Sequence, residues 1–170
     1  LNYTANDANL QSCWYSLNNG ITNTTVNCGT NLTGLTSIEG SNTWAVYAND
    51  SAGYQNVSSV TFFKDSINPR LVINTPTATN YTTTFITFNT TVSDANLGTC
   101  KYSLNGAANV TYTCNTNADL MVNQGVNTIY SFVNDTLGNI NSSIVTFRVD
   151  TITPNVNIVY PTATNYNINV

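Results

Sequence analysis

The sequence predicts an all-β protein made of tandem sandwich units of about 85 residues, each pinned by one disulfide hairpin. Three observations predict it. Asn and Thr dominate the 170 residues, at 30 and 29, while Tyr, Phe and Val supply much of the apolar surface and strong helix formers are scarce. Residues 65–81 read DSINPRLVINTPTATNY and residues 150–166 read DTITPNVNIVYPTATNY, a self-similarity at an offset of 85. Between these segments, short apolar runs of period two alternate with turn residues.

The complete repeat covers residues 66–150, with a partial copy over residues 1–65 and the opening of another over residues 151–170. Pro69 and Pro154 follow Asp65 and Asp150, which suits a short stiff joint. Leu71 and Ile73 mark an opening strand. In residues 85–93, Ile86, Phe88 and Val92 share one face and Thr87, Asn89 and Thr91 the other. Cys100, Tyr102 and Leu104 then alternate with Lys101 and Ser103. After the Asn105-Gly106 hairpin turn, Val110, Tyr112 and Cys114 alternate with Asn109, Thr111 and Thr113. Two closing strands, at residues 128–134 and 143–149, flank a turn holding Gly138 and Asn139.

The partial copy repeats this order. Asp7-Ala8-Asn9-Leu10 matches Asp94-Ala95-Asn96-Leu97, Tyr15-Ser16-Leu17-Asn18 matches Tyr102-Ser103-Leu104-Asn105, and Val60-Thr61-Phe62 matches Val145-Thr146-Phe147. Residues 29–38 match least, against residues 115–123. Each copy also holds one cysteine pair around an Asn-Gly turn. That selects Cys13 with Cys28 and Cys100 with Cys114 among the three connectivities that four cysteines allow. Such bridges point to an oxidising compartment, hence an extracellular or cell-surface protein. Zinc is disfavoured, because the pairs fall in different units and there is no His.

The Asp-x-x-x-Pro joint, the Asn-Asp-x-x-Gly-Asn turn at residues 134–139 and the Val145-Thr146-Phe147 strand resemble the tandem immunoglobulin-like (Ig-like) repeats of prokaryotic cell-surface, adhesin and extracellular fibre proteins. The resemblance implies an Ig-like β-sandwich with a spacer, stalk or fibre role.

Charged residues make up 7% of the chain, against about 25% in an ordinary soluble protein. Lys64, Arg70, Lys101 and Arg148 are its only cations, so no nucleic-acid partner is expected. No apolar run approaches the ~18 residues of a membrane helix, so no membrane insertion is expected either. The chain begins without Met and is read as a mature or internal piece. Absence of His removes the commonest general base, and no pair of acids recurs as a catalytic set, so a non-enzymatic role is expected. Trp14 and Trp44 align with Lys101 and Ile129, which makes both packing residues rather than a recurring sugar platform.

Sequons stand at Asn2, Asn23, Asn31, Asn49, Asn56, Asn80, Asn89, Asn109, Asn134 and Asn141. Asn2, Asn23, Asn49 and Asn56 recur as Asn89, Asn109, Asn134 and Asn141. Covalent N-glycans are expected and no other cofactor. Asn2, Asn23, Asn89 and Asn109 are the best placed, while Asn49 and Asn134 sit in tight turns. Recurring aspartates offer one further candidate, a Ca²⁺ site from Asp65, Asp94, Asn96 and Asp135, against the favoured reading that each Asp caps its own turn.

Residues 1–65 correspond to residues 88–150, and residues 151–170 to residues 66–85. The partner expected is therefore a copy of the chain itself. Residues 151–170 would complete residues 1–65 of the next copy in an open-ended head-to-tail homopolymer, by strand donation or as one continuous repeating polypeptide. The function expected is a structural subunit of an extracellular N-glycosylated fibre or stalk. The alternative is an adhesin or a carbohydrate- or protein-binding module.

Overall fold

The computed structural model describes residues 1–169, and the last position of the 151–170 segment lies outside them. Every regular element among the described residues is a strand. The first unit, Leu1–Ile67, holds β1 (Leu10–Ser16), β2 (Thr24–Val26), β3 (Gly40–Asp50) and β4 (Gln55–Lys64). The second begins at Asn68, close to the joint expected at Asp65, and holds β5 (Arg70–Thr75), β6 (Asn80–Tyr81), β7 (Phe85–Ser93) and β8 (Leu97–Leu104). Its later strands are β9 (Val110–Tyr112), β10 (Ala118–Met121), β11 (Gly125–Asp135) and β12 (Ile140–Val149). Among the described residues no helix is long and apolar enough to cross a membrane.

In the second unit a three-stranded sheet, β10-β7-β5, and a five-stranded sheet, β6-β12-β11-β8-β9, supply one core. Ile86 and Phe88 come from β7, Leu120 from β10, Ile129 from β11, and Phe147 and Val149 from β12. The alternation in β7 is the cause, since Ile86, Phe88, Thr90 and Val92 are buried while Thr87 and Thr91 are exposed. Phe88 is fully buried between Tyr102 and Tyr112, each ring 5.3 Å away. Two strands escape the periodicity. β6 has only two residues, paired in parallel with Arg148 and Val149, and β10 carries a single buried residue, Leu120.

The first unit is one four-stranded sheet, β2-β1-β3-β4, the same order as β9-β8-β11-β12. Opposite it stands only a trace of a second layer. Leu1 N donates to Leu32 O at 2.7 Å and Leu32 N to Leu1 O at 2.9 Å, at the places where Phe88 and Ala118 pair in the second unit. Cys13, Ala45 and Val46 are its buried apolar residues. Both tryptophans are half-buried and touch a neighbouring ring. Trp44 meets Phe62 edge-on at 5.0 Å, and Trp14 lies parallel to Tyr47 at 5.5 Å.

Each β1-type strand ends in an Asn-Gly turn with positive φ, 55° and 85° at Asn19 and Gly20, and 52° and 77° at Asn105 and Gly106. At Gly20 a Cβ would also lie 2.8 Å from the Tyr47 hydroxyl, so that side chain would have to move to admit one.

Candidate functional site

Each unit closes its own bridge, Cys13–Cys28 and Cys100–Cys114, with Cα separations of 5.1 and 5.4 Å. Each unit also holds a feature that sequence reasoning missed. Asn42 and Asn127 point into the interior and are nearly or wholly buried. Asn127 accepts from Asn123 N at 3.1 Å and donates to Asn123 O at 2.7 Å. Asn42 holds Ile38 in the same way, at 2.9 and 2.8 Å. Each amide thus replaces a ladder rung across the turn that leads into β3 or β11. A matching Asn on a core-facing position at the repeat offset was the available signal.

The sequons separate by what their amides already do. Asn2, Asn23, Asn31, Asn56, Asn80 and Asn109 are exposed, whereas Asn49, Asn89, Asn134 and Asn141 are half-buried. Asn89 lies on the face of β7 away from the core, as its parity requires. Its amide is nevertheless taken, accepting from Asn74 and donating to Asn117, both at 2.6 Å. Asn134 accepts from Thr99 N and donates to Asp135 O. Asn141 donates to the carbonyl of Pro69 at 2.8 Å. Bulky glycans need free surface, and the six exposed sequons are the ones with room for one.

Six recurring aspartates do one job. Asp7, Asp50, Asp65, Asp94, Asp135 and Asp150 each accept the backbone N–H of the residue two positions on, at 2.7 to 3.1 Å. This is the turn-capping geometry of Asp. Asp135 is the buried member. Burial works against its ionised form, but hydrogen bonds from Asn139, Leu137 and Gly138 outweigh that and hold its carboxyl below the ordinary range. Of the candidate Ca²⁺ ligands, Asp65 belongs to the first unit and Asp94, Asn96 and Asp135 to the second. Carboxylate oxygens of Asp94 and Asp135 lie within 4.8 Å of one another.

A latch holds the chain just past the last strand of each unit. Glu39 takes Lys64 at 2.7 Å, Ser66 N at 2.9 Å and Ser66 Oγ at 2.6 Å. The Lys64 and Ser66 side-chain bonds, with Ser66 N, lower its pKa to about 2. In the second unit Gln124 stands in the same place. It accepts from Thr151 N at 3.2 Å and Thr151 Oγ1 at 3.1 Å, and donates to Asp150 at 3.0 Å.

The units differ most beside β4 and β12. In the second unit β5 runs antiparallel to β7, with Leu71 opposite Val92 and Ile73 opposite Thr90, and it also lies against β12. In the first unit the same place is a groove of about 630 Å³ between residues 2–7 and 54–58, lined by Tyr3, Ala5, Leu10, Val46, Ala48 and Asn56. Residues 2–6 have no ladder partner among the described residues. Residues 151–169 form no strand, and Val156 and Ile158 are 86% and 75% exposed.

Neither a protein-family model nor a curated protein sequence matches the chain. Among solved structures the chain is similar to the fibronectin(III)-like modules of Clostridium thermocellum CbhA. That likeness has 13% identity and a TM-score of 0.43 and covers 91% of this chain and 87% of that one.

Proposed function

We propose that this chain is a non-enzymatic structural subunit of an extracellular, N-glycosylated fibre or cell-surface stalk, assembled head to tail from tandem Ig-like repeats of prokaryotic type. The recurrence of one scaffold carries the reading. Strand order, bridge, buried Asn and Asp-capped turns repeat from β1–β4 to β8–β12, so the sequence has been kept for its framework in both units. A spacer needs that property, and a catalytic module does not. Two bridges support an oxidising location, and glycans on exposed sequons such as Asn2, Asn23 and Asn109 would supply polar cover for a surface with few charges. No resident cofactor belongs to this reading.

Native material decides it. The expected result is a filament or stalk by electron microscopy, with a mass excess that enzymatic deglycosylation removes. A monomer of bare polypeptide mass ends the proposal. One observation favours the adhesin alternative, the parallel Trp14–Tyr47 pair, which has no aromatic counterpart at Lys101. Sugar binding that is lost in Trp14→Ala is the result that reading expects.

A further inference from the structure

We propose that the groove of the first unit is a strand-binding site whose occupant is residues 154–160 of a second copy of this chain. The inference deepens the fibre reading and rests on it, because it names the surface and the segment that join two subunits. The molecule holds its own template. In the second unit the slot between β7 and β12 is filled by β5, with Pro69 and Pro76 fully buried at its ends and Leu71 and Ile73 against the core. Residues 154–161 repeat that pattern, with Pro154, Val156, Ile158 and Pro161 at the positions of Pro69, Leu71, Ile73 and Pro76.

The register follows from the same correspondence. Leu71 faces Val92 and Ile73 faces Thr90, so Val156 is placed opposite Ala5 and Ile158 opposite Tyr3. Their side chains point at Leu10, Val46 and Ala48, and Asn157 faces water. Antiparallel pairing supplies the backbone of residues 2–6 with partners, the usual basis of strand addition. A one-residue slip would turn Val156 and Ile158 out to solvent.

Asn56 is set for the end of this strand. Its Oδ1 accepts from Val57 N at 2.8 Å, as Asn141 Oδ1 accepts from Ser142 N at 2.8 Å. Asn141 Nδ2, held in that way, donates to the Pro69 carbonyl. Asn56 Nδ2 is placed to donate to the Pro154 carbonyl of the incoming copy. Asn56 is also an exposed sequon, and a glycan there would crowd the strand end, so it stays bare in assembled material.

The test mixes two full-length chains, one carrying Ala5→Cys and the other Val156→Cys, under mild oxidation. Directly opposed residues bring their Cβ atoms to about 5 Å, so a covalent dimer between copies is expected. Thr4→Cys in place of Ala5→Cys should give at least about tenfold less. Adding Ile158→Asp to the donor should abolish the dimer while leaving the donor's own unfolding curve unchanged, since Ile158 is exposed there. The proposal is overturned by no cross-link between the two chains, by a glycan on Asn56 in assembled fibres, or by a segment preceding Leu1 found seated in the groove. Each of those outcomes leaves the fibre reading standing if native material is filamentous and glycosylated. Conversely, a cross-link made by a chain that is monomeric and bare in its native source removes the fibre reading alone.

Discussion

Residues 65–81 and 150–166 are close copies in different surroundings. In the first copy, residues 70–75 form β5 and Leu71 and Ile73 are partly buried. In the second, the matching residues form no strand and their apolar side chains are exposed. The turn that follows does not notice the difference. Thr77 N donates to Tyr81 Oη at 2.8 Å and Thr162 N to Tyr166 Oη at 2.7 Å. The short backbone bonds Thr79 to Thr77 and Thr164 to Thr162 match as well, at 2.8 and 2.7 Å. A turn built from its own side chains forms wherever its sequence goes, whereas a strand forms where a neighbour offers a ladder and a core.

Substitutions that separate those two kinds of structure sharpen the comparison. The largest effect should come from Ile73→Ala, which opens space beside the core and is expected to cost about 2–4 kcal/mol. Ile158→Ala should change the stability of the isolated chain by less than about 0.5 kcal/mol. Denaturant unfolding of the two variants checks this, and equal losses would break the contrast. Next come Asn127→Ala and Asn42→Ala. Each strips partners from part-buried backbone groups and should cost about 1–3 kcal/mol. The two losses should agree, because the clasps are alike in geometry and burial.

Smaller is Tyr81→Phe, which removes the turn bond and is expected to cost about 1 kcal/mol. Tyr166→Phe should leave global unfolding alone and speed only the hydrogen exchange of the Thr162 amide.

The smallest effect separates the latches. Glu39 has a folded pKa near 2 against an ordinary 4.5. Its contribution is therefore complete above about pH 4.5 and is lost as pH falls from there towards 2. It should be modest, because the pair is exposed. The Ser66 amide should lose protection, measured against its intrinsic exchange rate, across that window, while the Thr151 amide, held by the non-titrating Gln124, should not share that step. Glu39→Gln should abolish the Ser66 response.

Much of this contrast was legible in the sequence. The repeat offset, the two bridges, the Asn-Gly turns and the core face of β7 all follow from spacing and period two. The sheets beyond that were not, for a physical reason. Parity tells which face a residue takes but not which strand lies alongside. Asn89 was correctly placed away from the core, yet Asn74 and Asn117, which occupy its amide, come from segments flanking β7 that only the sheet order reveals. β10 was missed because a strand with a single buried residue has no period to detect. Capping by the six aspartates was foreseen, since it needs only a backbone N–H two residues away.

On the glycoprotein reading proposed above, the Asn141–Pro69 contact would act as a timer. A β11–β12 hairpin closes in about 1–10 μs, so Asn141 enters its strand almost as soon as that strand exists. β5 must return across a separation of 72 residues to cover it, the kind of non-local pairing that takes roughly milliseconds to seconds in all-β proteins. Between the two events the side chain would be open to a glycosyltransferase, and afterwards it is held against a proline carbonyl. Any fraction of Asn141 found to carry sugar would therefore record how long the opening strand takes to arrive. A variant that slows its docking, such as Ile73→Ala, should carry more.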